Sequence, residues 1–333
     1  MNKNNFVILE KLIGNTPMIG IKYRINNKEG IIYTKCEFYN FTGSIKDRIA
    51  LQILKKAFDE NKIKLGDTIV EATSGNTGIS FSAIGRLMGC GVTIIMPDWL
   101  SQERKRLIEY FGAEIISVSK EEGGFLRSIA ITKEMAENNP NVFLPEQFSN
   151  INNVIAHEKT GNEIYNQLSI KYSQIDGFIA GVGTGGTIIG VGRELRKHYP
   201  AIKIHPLEPM ESPTLTTGYK VGNHRIQGIS DEFIPKIMNY GEYDEIIQVS
   251  DGDAIIMAQK LAQNLGLGVG ISSGANFIGA IKLQQKYGFN SIIATVFPDC
   301  NKKYLTTDLM KNEIVKEGYI APKIELIGIV DRL

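Results

Sequence analysis

Apolar positions along the chain fall into two alternating rhythms, short β-branched runs and longer stretches of helical period. TIVEA (68–72), VTIIMP (92–97), EIISV (114–118), VFLP (142–145), GFIAGV (177–182), IKIHPLE (202–208), EIIQV (245–249) and SIIATVF (291–297) predict strands. Helical spacing covers 46–58, 76–88, 101–111, 124–138, 151–168, 187–197, 252–265 and 275–287. Such alternation is what βαβ units around a parallel sheet require. The polar, turn-forming stretch EQFSNINN (146–153) divides the chain into two α/β halves. Ligands of open parallel sheets gather beyond the carboxyl ends of strands, so the loops that follow strands are where chemistry is expected.

Two of those loops are rich in glycine and hydroxyl side chains: TSGNTG (73–78) after TIVEA, and GTGGT (183–187) after GFIAGV. Glycine lets a ligand approach the backbone, and free N–H groups at a helix start favour an anion. Each is equally readable as a tight turn that needs glycine only for its backbone angles. A third turn, GISSGAN (270–276), sets Ser272 and Ser273 at a helix start, where a serine N-cap is the plain reading. Gly181, Gly183 and Gly186 also match G-x-G-x-x-G, with Glu208 closing the next strand, which opens a reading as an NAD-dependent dehydrogenase. Thr184 and Thr187 suit one compact phosphate better, and a dinucleotide site explains neither TSGNTG nor the lysine of NFTGSIKDR (40–48). That lysine, Lys46, lies between Ile45 and Asp47 just ahead of the apolar helical positions Ile49, Ala50, Ile53 and Leu54. A solvated lysine needs no such setting.

Composition narrows the class. The 333 residues are 43% hydrophobic and 22% charged, enough to bury the cores of about two domains of roughly 100–200 residues each. With 37 basic against 36 acidic residues, no charge excess points to nucleic acid or a membrane surface. No secretory leader or membrane-spanning run is read, so the cytoplasm is the expected compartment. The three cysteines and four histidines lack disulfide or metal-ligand spacing, and no metal is expected.

Taken together with Lys46, the loops resemble the cysteine synthase and cystathionine β-synthase family, the fold-type II enzymes that use pyridoxal 5'-phosphate (PLP). The resemblance runs through SIKDR, TSGNTG, EQF (146–148), GVGTGGT (181–187), EP (208–209), SP (212–213), QGI (227–229), GISSGAN and PD (298–299), in that order. It implies an α/β fold of two open parallel-sheet domains with the active site in the cleft between them. The smaller domain would be 40–150, carrying TSGNTG, and the larger, PLP-binding domain 1–39 plus 151–333. Lys46 would hold PLP as a Schiff base, which explains its surroundings, because an attacking amine must be desolvated and neutral. Asp47 and Arg48 read as a structural salt bridge. The resemblance further implies that Gly183, Thr184, Gly185, Gly186 and Thr187 bind the phosphate, that Asn76 faces the ring hydroxyl and that Ser272 meets the pyridine nitrogen. A neutral serine there weakens the electron sink and suits β-elimination over transamination. Thr73, Ser74, Thr77, Gln147 and Gly228 would bind the amino-acid substrate, and Lys46, once displaced, would move the α-proton.

Two departures from the family pattern matter. The usual Asn-Pro before the lysine is Asn40-Phe41, and the stretch after QGI reads GISDEFIP (228–235), with Asp231 and Glu232 where cysteine synthases usually carry small residues. Sulfide, already an anion, gains nothing from a carboxylate, whereas water needs a base. Glu232 is expected to be the inward acid, and the favoured reaction is β-replacement on L-cysteine, with water giving L-serine, or a thiol giving a thioether, and hydrogen sulfide released. Cysteine formation from O-acetyl-L-serine and a cystathionine β-synthase-like reaction are the alternatives. A cytoplasmic homodimer is expected, with neither a following regulatory module nor a preceding haem-binding segment.

Overall fold

A computed structural model describes residues 3–73 and 75–333. In chain order, α1 (Lys3–Leu12) precedes a hairpin of β1 (Met18–Ile25) and β2 (Lys28–Cys36), then α2 (Lys46–Asp59). There follow β3 (Thr68–Ala72), α3 (Asn76–Leu87), β4 (Gly91–Pro97), α4 (Gln102–Tyr110), β5 (Glu114–Val118), α5 (Gly124–Asn138), β6 (Val142–Phe143) and α6 (Ile151–Leu168). The remainder comprises β7 (Gly177–Gly181), α7 (Gly186–His198), β8 (Lys203–Pro209), α8 (Thr214–Thr217), β9 (Ile247–Val249), α9 (Asp251–Leu265), α10 (Ile271–Tyr287), β10 (Ile293–Phe297) and β11 (Glu325–Arg332).

The chain divides into two compact units, one running to Gly14 and resuming at Asn40–Asn153, the other made of Asn15–Tyr39 and Val154–Leu333. The N-terminal helix therefore groups with the smaller unit, whereas the sequence reading put all of 1–39 in the larger. The reason is an apolar stripe: Phe6, Leu9 and Ile13 are buried, and the Phe6 and Phe58 rings meet edge to face at 5.7 Å, joining α1 to α2. Lys55 and Glu10 close the outer side with a 2.9 Å ion pair.

The smaller unit is built on a four-stranded sheet in the order β5-β4-β3-β6, parallel in every pair, with Thr68 opposite Gly91 and Thr93 opposite Glu114. Val70, Ile95 and Val118 form the core of one face, packed by Ile131 and Met135 of α5. The larger unit holds a seven-stranded sheet in the order β11-β1-β2-β10-β7-β8-β9. Its β2-β10-β7-β8-β9 part is parallel, but β11, β1 and β2 pair antiparallel, so the sheet is mixed and not uniformly parallel as expected. An antiparallel margin on a parallel sheet is common, because an edge needs no crossover helix. Asn26 and Asn27, with φ of 49° and 60°, form the two-residue turn that joins β1 to β2. The core between this sheet and the helices α9 and α10 gathers Ile179, Leu207, Phe277, Ile278, Ile293 and Phe297. Among the described residues, no helix is long and apolar enough to cross a membrane.

Candidate active site

In the larger unit Asn276, on α10, ties β7 to β10: its Oδ1 accepts the Gly181 N–H at the end of β7 (2.8 Å), and its Nδ2 donates to the Val296 carbonyl in β10 (2.8 Å). The same helix, α10, begins at Ile271, earlier than its apolar spacing indicated, so Ser272 and Ser273 occupy its first turn, both buried. Ser273 Oγ has no hydrogen-bond partner among the described residues.

The loop after β7 leads into the N-terminus of α7 through Gly185, whose φ of 86° is a left-handed conformation that glycine adopts without strain. The Gly186 N–H reaches back to Thr184 Oγ1 at 3.4 Å. Thr187 Oγ1 lies 3.3 Å from Nε2 of the buried His157, whose Nδ1 is 3.2 Å from Thr160 Oγ1. Gly183 faces a second loop so closely that a Cβ there would stand 2.5 Å from the Gly228 carbonyl oxygen. This cradle of helix N–H groups and hydroxyls, with side chains cleared from its floor, has the donor set a phosphate dianion needs. Glu208 is no part of it: its carboxylate is buried and accepts the Leu215 N–H at 2.7 Å and the Thr216 N–H at 3.3 Å at the start of α8, with Gln248 Nε2 at 3.1 Å. That geometry turns the acid of the dinucleotide reading to a structural task.

The second loop carries the two acids. The Ser230 N–H donates to the Val182 carbonyl at 2.7 Å, joining the two loops at that point. Ser230 has a left-handed φ of 53°, held by its hydroxyl donating to the Ser212 carbonyl at 2.8 Å and by His224 Nε2 3.0 Å from its own carbonyl. Burial lowers the His224 pKa, so the ring donates from Nε2 in neutral form. Glu232, expected to face inward, instead meets Lys220 Nζ at 2.7 Å with both side chains about a third exposed. Asp231 is half-buried.

In the smaller unit Lys46 opens α2 and is half-buried, its backbone N–H directed to Ser44 Oγ at 3.3 Å. Asp47 shapes the turn before it, accepting the Thr42 N–H at 2.7 Å, the Thr42 hydroxyl at 2.6 Å and the Ser80 hydroxyl at 2.7 Å. Hydroxyl and backbone donors are thus part of its structural role.

The TSGNTG loop follows β3 and leads through Asn76 into α3. Thr73 Oγ1 accepts the Gly75 N–H at 3.1 Å, Thr77 donates to Gln147 Oε1 at 2.8 Å, and Gln147 Nε2 donates to the Ala72 carbonyl at 2.7 Å. Ser74, expected to bind substrate, lies outside the described residues. Glu71 went unremarked in the sequence although an acid inside the apolar run TIVEA was its signal. It is buried, accepts the Ala72 N–H at 3.1 Å and the Gln147 N–H at 3.3 Å, and has its pKa pushed up to about 8. Desolvation is the main cause, the Glu146 charge adds to it, and the backbone donors of Gln147, Ala72 and Glu146 oppose it. His157 and Asn276 were missed too; Asn276 stood in a quoted motif without a task.

Residues 9–299 match the family described as pyridoxal-phosphate dependent enzyme. Cysteine synthase B of Campylobacter jejuni is 44% identical over 303 residues, 90% of this chain and 97% of that one. A cysteine synthase of Staphylococcus aureus is 41% identical over 302 residues, 90% of this chain and 96% of its own. Among solved structures, a hydrogen sulfide-producing enzyme from Fusobacterium nucleatum is 56% identical, with a TM-score of 0.96, covering 100% of this chain and 99% of that one. A mutant form of that enzyme, with asparagine in place of an aspartate, has been solved with an α-aminoacrylate intermediate. The chain belongs to the cysteine synthase family of PLP-dependent, β-replacing enzymes.

Proposed function

We propose that the protein releases hydrogen sulfide from L-cysteine and adds water in its place, giving L-serine. The Cβ–S bond breaks and a Cβ–O bond forms: the thiolate leaves with one proton, and water gives up another as it attacks. Bound PLP supplies the electron sink that makes the α-proton acidic and the β-substituent a leaving group. In this reading the amine of Lys46 holds the cofactor, then takes the α-proton from Cα and returns it there after water has added. Residues 183–187 hold the phosphate, Asn76 the ring hydroxyl, and Ser272 the pyridine nitrogen without a carboxylate's push. Thr73, Thr77 and Gln147 orient the α-carboxylate, and Gly228 is assigned to binding the same substrate.

One observation carries the choice of water as nucleophile: the loop bearing Asp231 is pinned to the phosphate loop through the Ser230 N–H and Val182 carbonyl at 2.7 Å. A carboxylate fixed there is a base for a water at Cβ. The role goes to Asp231 and not to Glu232, because Glu232 is committed to Lys220 at 2.7 Å. Similarity to an enzyme named for hydrogen sulfide production supports the same direction, and an aspartate-to-asparagine form of that enzyme solved with its intermediate supports an aspartate in the second half-reaction. The curated relatives' names favour a second reading, cysteine made from O-acetyl-L-serine and sulfide.

Incubation of the purified holoenzyme with L-cysteine alone distinguishes them. Sulfide and serine in equal amounts are expected; pyruvate in place of serine removes the water-addition step, and fast cysteine synthesis with no sulfide release selects the second reading. Asp231→Asn is expected to release sulfide once per site and then stall with a persistent absorbance band. A cytoplasmic homodimer remains part of the proposal, tested by sedimentation.

A further inference from the structure

Arg104, on α4, is only 2% exposed, one of the largest side chains so deeply buried. It lies against the TSGNTG loop: a Cβ on Gly75 would stand 2.1 Å from Arg104 Cδ and 2.7 Å from its Nε. Gly75, at φ 143°, thus provides a backbone conformation open to glycine and a flat surface for the arginine stem. Taking a guanidinium out of water is costly, and an apolar side chain of similar volume would fill the same space more cheaply. The charge therefore calls for a task.

The loop suggests one. Its hydroxyl and amide groups are neutral and knitted together, Thr73 with Gly75, Thr77 with Gln147, and Gln147 with the Ala72 carbonyl. Neutral dipoles alone discriminate weakly between a carboxylate and an uncharged isostere. A cation buried behind them, in a medium where charges are poorly screened, discriminates strongly. We infer that Arg104 is a positioning and specificity-determining residue: acting through Gly75, it sets the positive potential that restricts the 73–78 loop to substrates with a free α-carboxylate. This rests on the reading that the loop receives that carboxylate.

The test uses holoenzyme carrying Arg104→Lys, Arg104→Gln or Arg104→Met, with folding and cofactor content checked first. L-Cysteine and L-cysteinamide, which lacks the carboxylate charge, are titrated by the change in cofactor absorbance, and turnover of cysteine is followed alongside. Gln and Met are each expected to weaken cysteine binding and raise KM on the order of 10- to 100-fold, leaving kcat within about threefold. Lys should recover most of the loss, and cysteinamide should bind all four proteins alike. If Lys is as poor as Met, if the loss falls in kcat, or if cysteinamide suffers equally, Arg104 is a packing residue and the inference fails. Should the wild type itself bind cysteine and cysteinamide equally, the carboxylate reading of the loop falls, and this inference with it. Gln serves if Met does not fold.

Discussion

The protein has two glycine-rich loops, each between a strand and a helix, and builds them differently. In the larger unit the loop at 183–187 is shaped chiefly by backbone, with the Thr184 and Thr187 hydroxyls added: a left-handed Gly185, helix N–H groups, and Gly183 pressed on the Gly228 carbonyl. In the smaller unit the described residues of the loop at 73–78 are joined largely through side chains, hydroxyl to amide to carbonyl, with buried ionisable groups close by: Glu71 in the strand before it and Arg104 against Gly75. A backbone cradle is fixed in shape and suits a group that stays. A cradle of rotatable hydroxyls suits a group that arrives and leaves at every turnover.

The largest expected effect lies outside both loops and tests whether they serve one chemistry. Lys46→Ala should reduce turnover roughly 10²–10⁴-fold and abolish the covalent mass added when the holoenzyme is reduced with borohydride. Undiminished turnover would leave the two cradles without a common reaction. Next come the glycines. Gly183→Ala forces backbone apart, since the new Cβ stands 2.5 Å from a carbonyl oxygen, at a cost of about 1–3 kcal/mol. It should loosen cofactor by about tenfold or more, read as PLP released on dialysis. Gly75→Ala should keep its cofactor and instead raise the KM for cysteine. If both variants lose cofactor, the division of labour between the loops is wrong.

Glu71 gives the comparison a pH signature. Folding raises its pKa to about 8 by burial, so the folded protein holds this proton more tightly than the unfolded chain does. Its contribution to stability is full below the ordinary glutamate range and is lost as pH climbs to about 8. Thermal unfolding followed from pH 5 to pH 8 should show the melting temperature falling by several degrees. Glu71→Gln should flatten that slope. An unchanged slope would mean that the acid is ionised throughout, held by the N–H groups of Ala72 and Gln147.

The loops themselves were plain in the sequence as glycine- and hydroxyl-rich turns after β-branched runs, and only Lys46 and the other motifs together set them apart from ordinary tight turns. The eight strands and eight helices marked by periodicity recur within a few residues of their expected ends. What escaped has physical reasons. The β1–β2 hairpin turns on Asn26 and Asn27 without glycine, and β11 pairs with β1 across some three hundred residues, a separation no local pattern records. Asp47 was legible as structural but not in its partners, since Thr42 and Ser80 reach it only in the folded turn. Glu232 was misjudged because sequence gives an acid's neighbours in the chain and not in space; Lys220, twelve residues back, decides its direction.

That last point supplies the smallest predicted effect. The Lys220–Glu232 pair spans 2.7 Å but leaves both side chains about a third exposed, and solvent-exposed pairs contribute about 0–1 kcal/mol. Glu232→Gln should therefore change stability by less than about 1 kcal/mol and leave the ratio of serine to sulfide at the wild-type value. The contrast with Asp231→Asn is what matters. Both variants remove one negative charge from the same short loop, so any effect of overall field acts on the two alike, and only an oriented base separates them. A Glu232→Gln enzyme that stalls after releasing one sulfide per site, while Asp231→Asn turns over freely, would exchange the two roles. It would also show that Lys220 releases its partner when substrate binds.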